Sequence, residues 1–415
     1  MRKIIINGGV NLEGIVNISG SKNSVVALIP AAILCRDIVR IYNCPHISDV
    51  IVLCEILKDL NVSVKCEEEF IEIDSSNIEY TSLVSEKMSE LRASYYFMGV
   101  LLALFNQVQI NLPGGCYLGP RPIDLHLKGF KTLNCDYTID EGILHINTNK
   151  LIGNQIFLDI ASVGATINIM FASIFIEGVT VIENAAKEPE IVDIANFLNK
   201  MGANIKGAGT SKIKITGVKT LKGCSHFVIP DRIETGTYML FGSAVAKEMI
   251  INNMNPNHLQ ALIAKLIESG VNLKIDNNRI IISKPEQILP INIKTAVYPG
   301  FPTDLQQIIT ALMTQAHGTS IISEKIYASR FKNCDELIKM GANIRIENAS
   351  AIIIGPAKLS GVEVAASDLR GGASLVLAGL IAENKTTINY SEHIFRGYGD
   401  IINKLQGVGA RISVK

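Results

Sequence analysis

Lys22, Arg92, Ser162, Glu234, Asp304, Asp368 and Arg370 share one context. Each stands at or just before the start of a segment that is apolar almost all round: 24–34, 95–105, 165–176, 238–246, 305–316 and 373–382. A helix apolar on every side must be buried by other elements, and a charged group at its start is costly to bury unpaired. Six buried helices whose starts open onto a shared polar cleft satisfy both demands. Helix N-termini present free N–H groups and a partial positive charge, which suits phosphate or carboxylate ligands. Cations are disfavoured there, so Lys22, Arg92 and Arg370 imply a ligand that supplies the compensating negative charge. Taken singly, each of these polar residues reads equally well as an ordinary helix cap.

A second candidate is Cys116, in Leu112-Pro113-Gly114-Gly115-Cys116-Tyr117-Leu118-Gly119-Pro120-Arg121-Pro122. Three glycines and three prolines make this a loop and not a core element. A thiol on such a loop can approach a ligand closely, and the loop can serve as a lid. Arg121 nearby would favour the thiolate, whereas a dry closed site would favour the thiol. The segment Arg121-Pro122-Ile123-Asp124-Leu125 is a rigid basic-then-acidic grip for a polar ligand. His126 and His393 lie near the charged clusters and are weaker candidates for substrate contact.

The elements that must position these residues follow a rhythm of about 70 residues, long enough for a supersecondary unit of strands and helices. A second phase of the same rhythm closes each unit, where a helix end runs into a strand: Leu60-Asn61-Val62, Leu133-Asn134-Cys135, Met201-Gly202-Ala203, Gly270-Val271-Asn272, Met340-Gly341-Ala342 and Val408-Gly409-Ala410. At 415 residues the chain suits two domains of three units each. Formal net charge is zero, so there is no electrostatic footprint for nucleic acid or an anionic membrane. The apolar stretches fall short of a membrane span, and the N-terminus enters a strand without a signal-peptide pattern. Eight cysteines are scattered without C-x-x-C spacing, which fits reduced thiols in a cytoplasmic protein. Phosphate-loop, dinucleotide-fold and metal-ligand motifs do not occur.

The repeat, together with Ser21-Lys22-Asn23, Leu91-Arg92-Ala93-Ser94, Pro113-Gly114-Gly115-Cys116, Gly119-Pro120-Arg121-Pro122, Ser162-Val163-Gly164-Ala165-Thr166, Phe301-Pro302-Thr303-Asp304, Asp368-Leu369-Arg370 and Arg396-Gly397-Tyr398, resembles the enolpyruvyl transferases. More narrowly, it resembles the branch that acts on UDP-N-acetylglucosamine, and the likeness covers essentially the whole chain. The fold class it implies is α/β (α+β), a two-domain inside-out α/β barrel. Each domain would hold three βαβαββ-type units around buried helices. One domain would be 22–229 with the Cys116 loop, the other 1–21 plus 230–415, with the active site in the cleft between them.

The activity implied is transfer of the enolpyruvyl group of phosphoenolpyruvate to the 3′-hydroxyl of UDP-N-acetylglucosamine, with release of phosphate and without metal or organic cofactor. By resemblance, Lys22, Arg121 and Arg396 hold the phosphate, with Asn23 beside them, and Arg330 and Arg370 meet the carboxylate. Cys116 would protonate the methylene carbon, Asp304 would act on the attacking hydroxyl as base or orienter, and Lys22 would assist proton transfer. Asp304 would also cap the helix that begins at Leu305, whose N–H groups would keep it ionised. Asn23, Arg92, Arg121, Pro122, Ile123, Asp124, Leu125, Ser162, Val163, Gly164, Asp304 and Ile326 match positions that bind the nucleotide sugar. Asp231 and Asp368 are read as supports. Ser48 and Ile160 depart from the pattern, standing where some members carry lysine. The alternatives are the sister activity on shikimate 3-phosphate and a silent paralogue that senses the nucleotide sugar. No nucleic-acid partner and no membrane insertion are expected.

Overall fold

The computed structural model describes residues 2–85, 88, 91–112 and 123–415. The described residues divide into two compact units, one within residues 20–112 and 123–229, the other of 2–19 with 230–415. Among the described residues, the helices of the first unit are α1 (Lys22–Ala32), α2 (Ser48–Asp59), α3 (Tyr96–Phe105), α4 (Asp124–Thr132), α5 (Val163–Ala172) and α6 (Pro189–Lys200). In the second they are α7 (Arg232–Val245), α8 (Gln260–Glu268), α9 (Thr303–Met313), α10 (Lys332–Lys339), α11 (Leu369–Ile381), α12 (Glu392–Phe395) and α13 (Ile401–Gly407).

Among the described residues, six sheets of one design surround these helices, three to a unit. Residues 155–216 show the design whole. An edge strand (Gln155–Phe157) leads into buried α5, then Val179–Glu183 pairs parallel to the edge strand. Surface helix α6 follows, and the hairpin Asn204–Lys206/Lys212–Thr216 adds antiparallel to Val179–Glu183. This is the βαβαββ unit implied by the resemblance. In the sheet of Gln107–Asn111, Ile143–Asn147 and Asp136–Asp140, the parallel edge shrinks to one bridge, Leu83 to Ile110. Three sheets are completed from afar: Leu12–Asn17 supplies the parallel edge beside Ala246–Asn252. Ser225–Phe227 supplies the edge beside Ile38–Tyr42, and the N-terminal strand Ile4–Asn7 sits between Lys385–Asn389 and Arg411–Val414.

Strand burial alternates, as in Val179–Glu183 and Lys212–Thr216, so each sheet gives one face to the core and one to solvent. Helices α1, α3 and α5 form the centre of one core, and α7, α9 and α11 that of the other. Each fully buried large apolar side chain of these helices contributes roughly 1.5–3 kcal/mol to folding.

The second phase of the sequence rhythm has a conformational cause. Just past the ends of α2, α4, α6, α8, α10 and α13 stand Asn61, Asn134, Gly202, Gly270, Gly341 and Gly409, with φ of 59°, 74°, 109°, 81°, 103° and 95°. A left-handed residue ends the helix and turns the chain into the next strand. Only glycine, and to a lesser degree asparagine, takes that conformation without strain.

Candidate active site

In the unit of 230–415, three residues named from the sequence meet. Asp304, in the first turn of α9, pairs through Oδ1 with Arg330 Nη1 at 2.8 Å and through Oδ2 with Arg370 Nη2 at 3.2 Å. Both guanidinium groups are nearly buried, while Asp304 keeps 27% of its side chain exposed. Burial alone would raise the Asp304 pKa, but Arg330, Arg370 and, more distantly, Arg232 outweigh it and hold the carboxyl well below the usual carboxylate range. The expectation that Asp304 caps its own helix is corrected. Pro302 occupies the cap position, without a side-chain bond, and the arginines, not backbone N–H groups, keep Asp304 ionised.

Each arginine is fixed from behind. Arg330 Nη1 also donates to Thr303 Oγ1 at 2.9 Å, and Thr303 donates to the buried carboxylate of Glu324 at 2.8 Å. Glu324 in turn accepts from Thr295 Oγ1 and from the N–H groups of Ile326 and Tyr327, which shapes the turn carrying exposed Ile326. Arg370 lies over the ring of fully buried Tyr398, 5.1 Å from its centroid, and the Tyr398 hydroxyl is 2.7 Å from Thr237 Oγ1 on α7. Arg396 follows α12, two residues before Tyr398, and is half-buried. His393, within α12, is half-buried too. Asp368 caps α11 by accepting from the N–H groups of Arg370 and Gly371, and Asp231 caps α7 through Ile233 and Glu234.

That second cap moves the start of α7 back to Arg232, ahead of the opening read at Glu234. Glu234 lies in the first turn, buried, and pairs with Lys404 at 2.7 Å, while its other oxygen accepts from the Ser19 N–H. Burial pushes the Glu234 pKa up, and Lys404 pulls against it.

In the unit of 20–229, Lys22 opens α1 behind the Ser21 cap and pairs with Asp49 at 2.7 Å, both side chains largely buried. Asn23 follows, half-buried, and Ser48 is exposed in the first turn of α2 beside Asp49. Lys22 and Arg370 therefore find compensating charge within the protein, from Asp49 and Asp304. From sequence alone that compensation is expected from a ligand; the structure supplies it from carboxylates of the chain. Ser162 caps α5, accepting from Ala165 N at 3.3 Å. Val163 and Gly164 begin the helix. A side chain at Gly164 would meet His126 at 2.9 Å and the Tyr95 hydroxyl at 3.0 Å, so the start of α5 lies tightly against α4. His126 is buried and bonds through Nδ1 to Asn168 at 3.0 Å, which makes it a packing residue of that junction. Ile123 precedes α4, Asp124 opens it exposed, and Leu125 is half-buried. Arg92 begins the 3₁₀ turn Arg92–Tyr95 that leads into α3, and Ile160 is exposed.

Cys116, Arg121 and Pro122 lie outside the described residues. Among the other thiols, burial pushes Cys35 up to about 11 and Cys44, Cys54, Cys135 and Cys334 up to about 12. These stay protonated and act as small apolar side chains. Asp49, Gln307, Glu324 and Lys404 are not legible from the sequence, because their side-chain partners are remote in the chain. The adjacent amides Gln306 and Gln307 inside an otherwise apolar helix were the one local signal.

The fold is shared with solved enolpyruvyl-transfer enzymes. The enolpyruvyl transferase NikO from Streptomyces tendae superposes with a TM-score of 0.92 at 23% identity, covering 100% of this chain and 99% of that one. An EPSP synthase from Acinetobacter baumannii gives 0.77 at 17% identity, with both chains covered in full. Residues 6–405 match the EPSP synthase (3-phosphoshikimate 1-carboxyvinyltransferase) family. The chain belongs to this family of enolpyruvyl transferases.

Within it, the sequence is 52% identical over 413 residues to UDP-N-acetylglucosamine 1-carboxyvinyltransferase 2 of Bacillus subtilis (strain 168), covering 99% of this chain and 96% of the relative. The enzyme of the same description from Listeria monocytogenes serovar 1/2a is 52% identical over 411 residues, covering 99% and 97%. The narrower resemblance read from the motifs is thereby borne out, as is the fold class.

Proposed function

We propose that this chain transfers the enolpyruvyl group of phosphoenolpyruvate to the 3′-hydroxyl of UDP-N-acetylglucosamine, the first committed step of peptidoglycan synthesis. The observation that carries the proposal is the identity of 52%, sustained over 99% of the chain, with relatives of that activity. The Asp304–Arg330–Arg370 cluster supports it chemically. The acceptor oxygen adds to C2 of phosphoenolpyruvate while C3 gains a proton, giving a tetrahedral ketal. Loss of phosphate from C2 and of a proton from C3 then leaves the enol ether.

In this reading Arg330 and Arg370 receive the substrate carboxylate, which guanidinium groups match two bonds at a time. A carboxylate arriving there competes with Asp304 for both cations. As Asp304 loses them, its pKa rises toward the range in which it can accept the hydroxyl proton. The geometry thus favours an Asp304 that is a weak base alone and a stronger one once substrate is seated. Lys22, Arg121 and Arg396 are assigned to the phosphate with Asn23 beside them, and Cys116 to protonation at C3. Arg92, Pro122, Ile123, Asp124, Leu125, Ser162, Val163, Gly164 and Ile326 are assigned to the nucleotide sugar.

Among the described residues no helix is long and apolar enough to cross a membrane, and we place the enzyme in the cytoplasm, where both substrates are made. The test is the product. Mass spectrometry after incubation with both substrates should show UDP-N-acetylglucosamine enlarged by one enolpyruvyl unit. Unchanged nucleotide sugar, with binding intact, would favour the sensing paralogue.

A further inference from the structure

Gln307 lies on α9 one turn beyond Asp304 and is fully buried. Its Oε1 accepts from Arg330 Nε at 3.2 Å, and its Nε2 donates to Asp368 Oδ2 at 3.1 Å. The orientation of the amide is dictated by its partners, since a guanidinium only donates and a carboxylate only accepts. Asp368 holds the N–H groups of Arg370 and Gly371 with its other oxygen. The bonds therefore close a ring: Asp304 to Arg330, Arg330 to Gln307, Gln307 to Asp368, Asp368 to the backbone of Arg370, and Arg370 back to Asp304. Asn333 Nδ2 donates to the Gln307 carbonyl at 3.3 Å and to Ser374 Oγ at 3.0 Å, tying the ring to α10 and α11.

We propose that Gln307 is the positioning residue that sets both guanidinium groups of the site, an inference that rests on the function proposed above. By taking Nε of Arg330 it leaves the two terminal nitrogens for Asp304, Thr303 and an incoming carboxylate. By taking Oδ2 of Asp368 it fixes the cap from which Arg370 projects. A neutral amide is the one common side chain that serves both: a carboxylate there would repel Asp368, and an apolar isostere would leave Arg330 Nε buried and unpaired and Asp368 Oδ2 with the Ser367 hydroxyl, 3.0 Å away, in place of two donors.

The test compares Gln307→Glu with Gln307→Met by steady-state kinetics from pH 6 to pH 9. Gln307→Met is expected to lower kcat/KM for phosphoenolpyruvate about 10- to 100-fold at every pH, the range in which buried partners are left unpaired. Gln307→Glu carries its own titration. Arg330 and Asp368 face the new carboxyl directly, Asp304 and Arg370 lie one bond further round the ring, and Glu324 joins it through Thr303. Ionised, it repels Asp368 and competes with Asp304 for Arg330. Protonated, it donates to Asp368 and accepts from Arg330 as the amide does. Its activity relative to wild type should therefore rise several-fold as the pH falls from 9 to 6, while that of Gln307→Met stays level. Wild-type kinetics in both variants, or equal losses without pH dependence, would overturn the proposal. If Gln307→Met does not fold, the pH dependence of Gln307→Glu decides alone. A wild-type enzyme silent with these substrates would end the functional reading but not this one. The Arg330 Nε–H resonance would then decide: movement in Gln307→Glu between pH 9 and 6, against a fixed wild-type position, supports the ring, and indifference overturns it.

Discussion

The two units solve the same problem, how to begin a buried helix, in different ways. In residues 20–229 the caps of α1 and α5 are neutral serines, and one ion pair, Lys22–Asp49, accompanies them. In residues 230–415 the caps of α7 and α11 are aspartates, and the helix starts carry Glu234–Lys404 and the Asp304–Arg330–Arg370 cluster. A serine cap satisfies one N–H and costs little to replace. An aspartate cap brings a full charge, strengthens the bond to the N–H groups, and tolerates a cation such as Arg370 where the helix dipole alone would oppose it. The second unit is thus built to hold buried cations in a defined geometry, the first to begin its helices with neutral caps and a single buried ion pair.

The largest expected effect lies in the second unit. Asp304→Ala removes the counter-charge of two buried guanidinium groups and the group assigned to the hydroxyl, so kcat should fall by about 10³-fold or more; steady-state phosphate release checks this. Next, Glu234→Gln leaves Lys404 buried without its counter-charge and should reduce unfolding free energy by about 3–5 kcal/mol, read from urea denaturation. The first unit should respond less. Ser21→Ala and Ser162→Ala are each expected to remove about 1 kcal/mol, and equal losses in the two units would erase the contrast drawn here.

The smallest effect concerns pH. A carboxyl whose folded pKa is depressed contributes stability above its unfolded pKa, about 3.9, and loses it as pH falls through the still lower folded value. For Asp304 the whole loss lies on the acid side of the ordinary carboxylate range. The stability difference between wild type and Asp304→Asn should therefore be constant from pH 6 to pH 9.

The architecture was legible because its signals are local and repeated. Apolar runs marked α1, α3, α5, α7, α9 and α11, and the Asn or Gly after each surface helix marked the left-handed turn into the following strand. Boundaries were less secure. Arg232-Ile233-Glu234 reads as a polar approach to α7, yet it is the first turn, since the Asp231 cap and Lys404 make those residues affordable inside the helix. Of the candidate site residues named from the sequence, Asp304, Arg330 and Arg370 converge. What was hidden is the pairing: Asp49 is 27 residues from Lys22, and Asp368 is 61 from Gln307. Such bonds depend on which turns of separate helices face each other, and one sequence does not carry that information.

The most direct test of the central claim is phosphate release from phosphoenolpyruvate with UDP-N-acetylglucosamine or shikimate 3-phosphate as acceptor, in wild type and Asp304→Ala. Release is expected with the nucleotide sugar only, and its loss in the variant. Release with shikimate 3-phosphate, or undiminished release from Asp304→Ala, would contradict that claim.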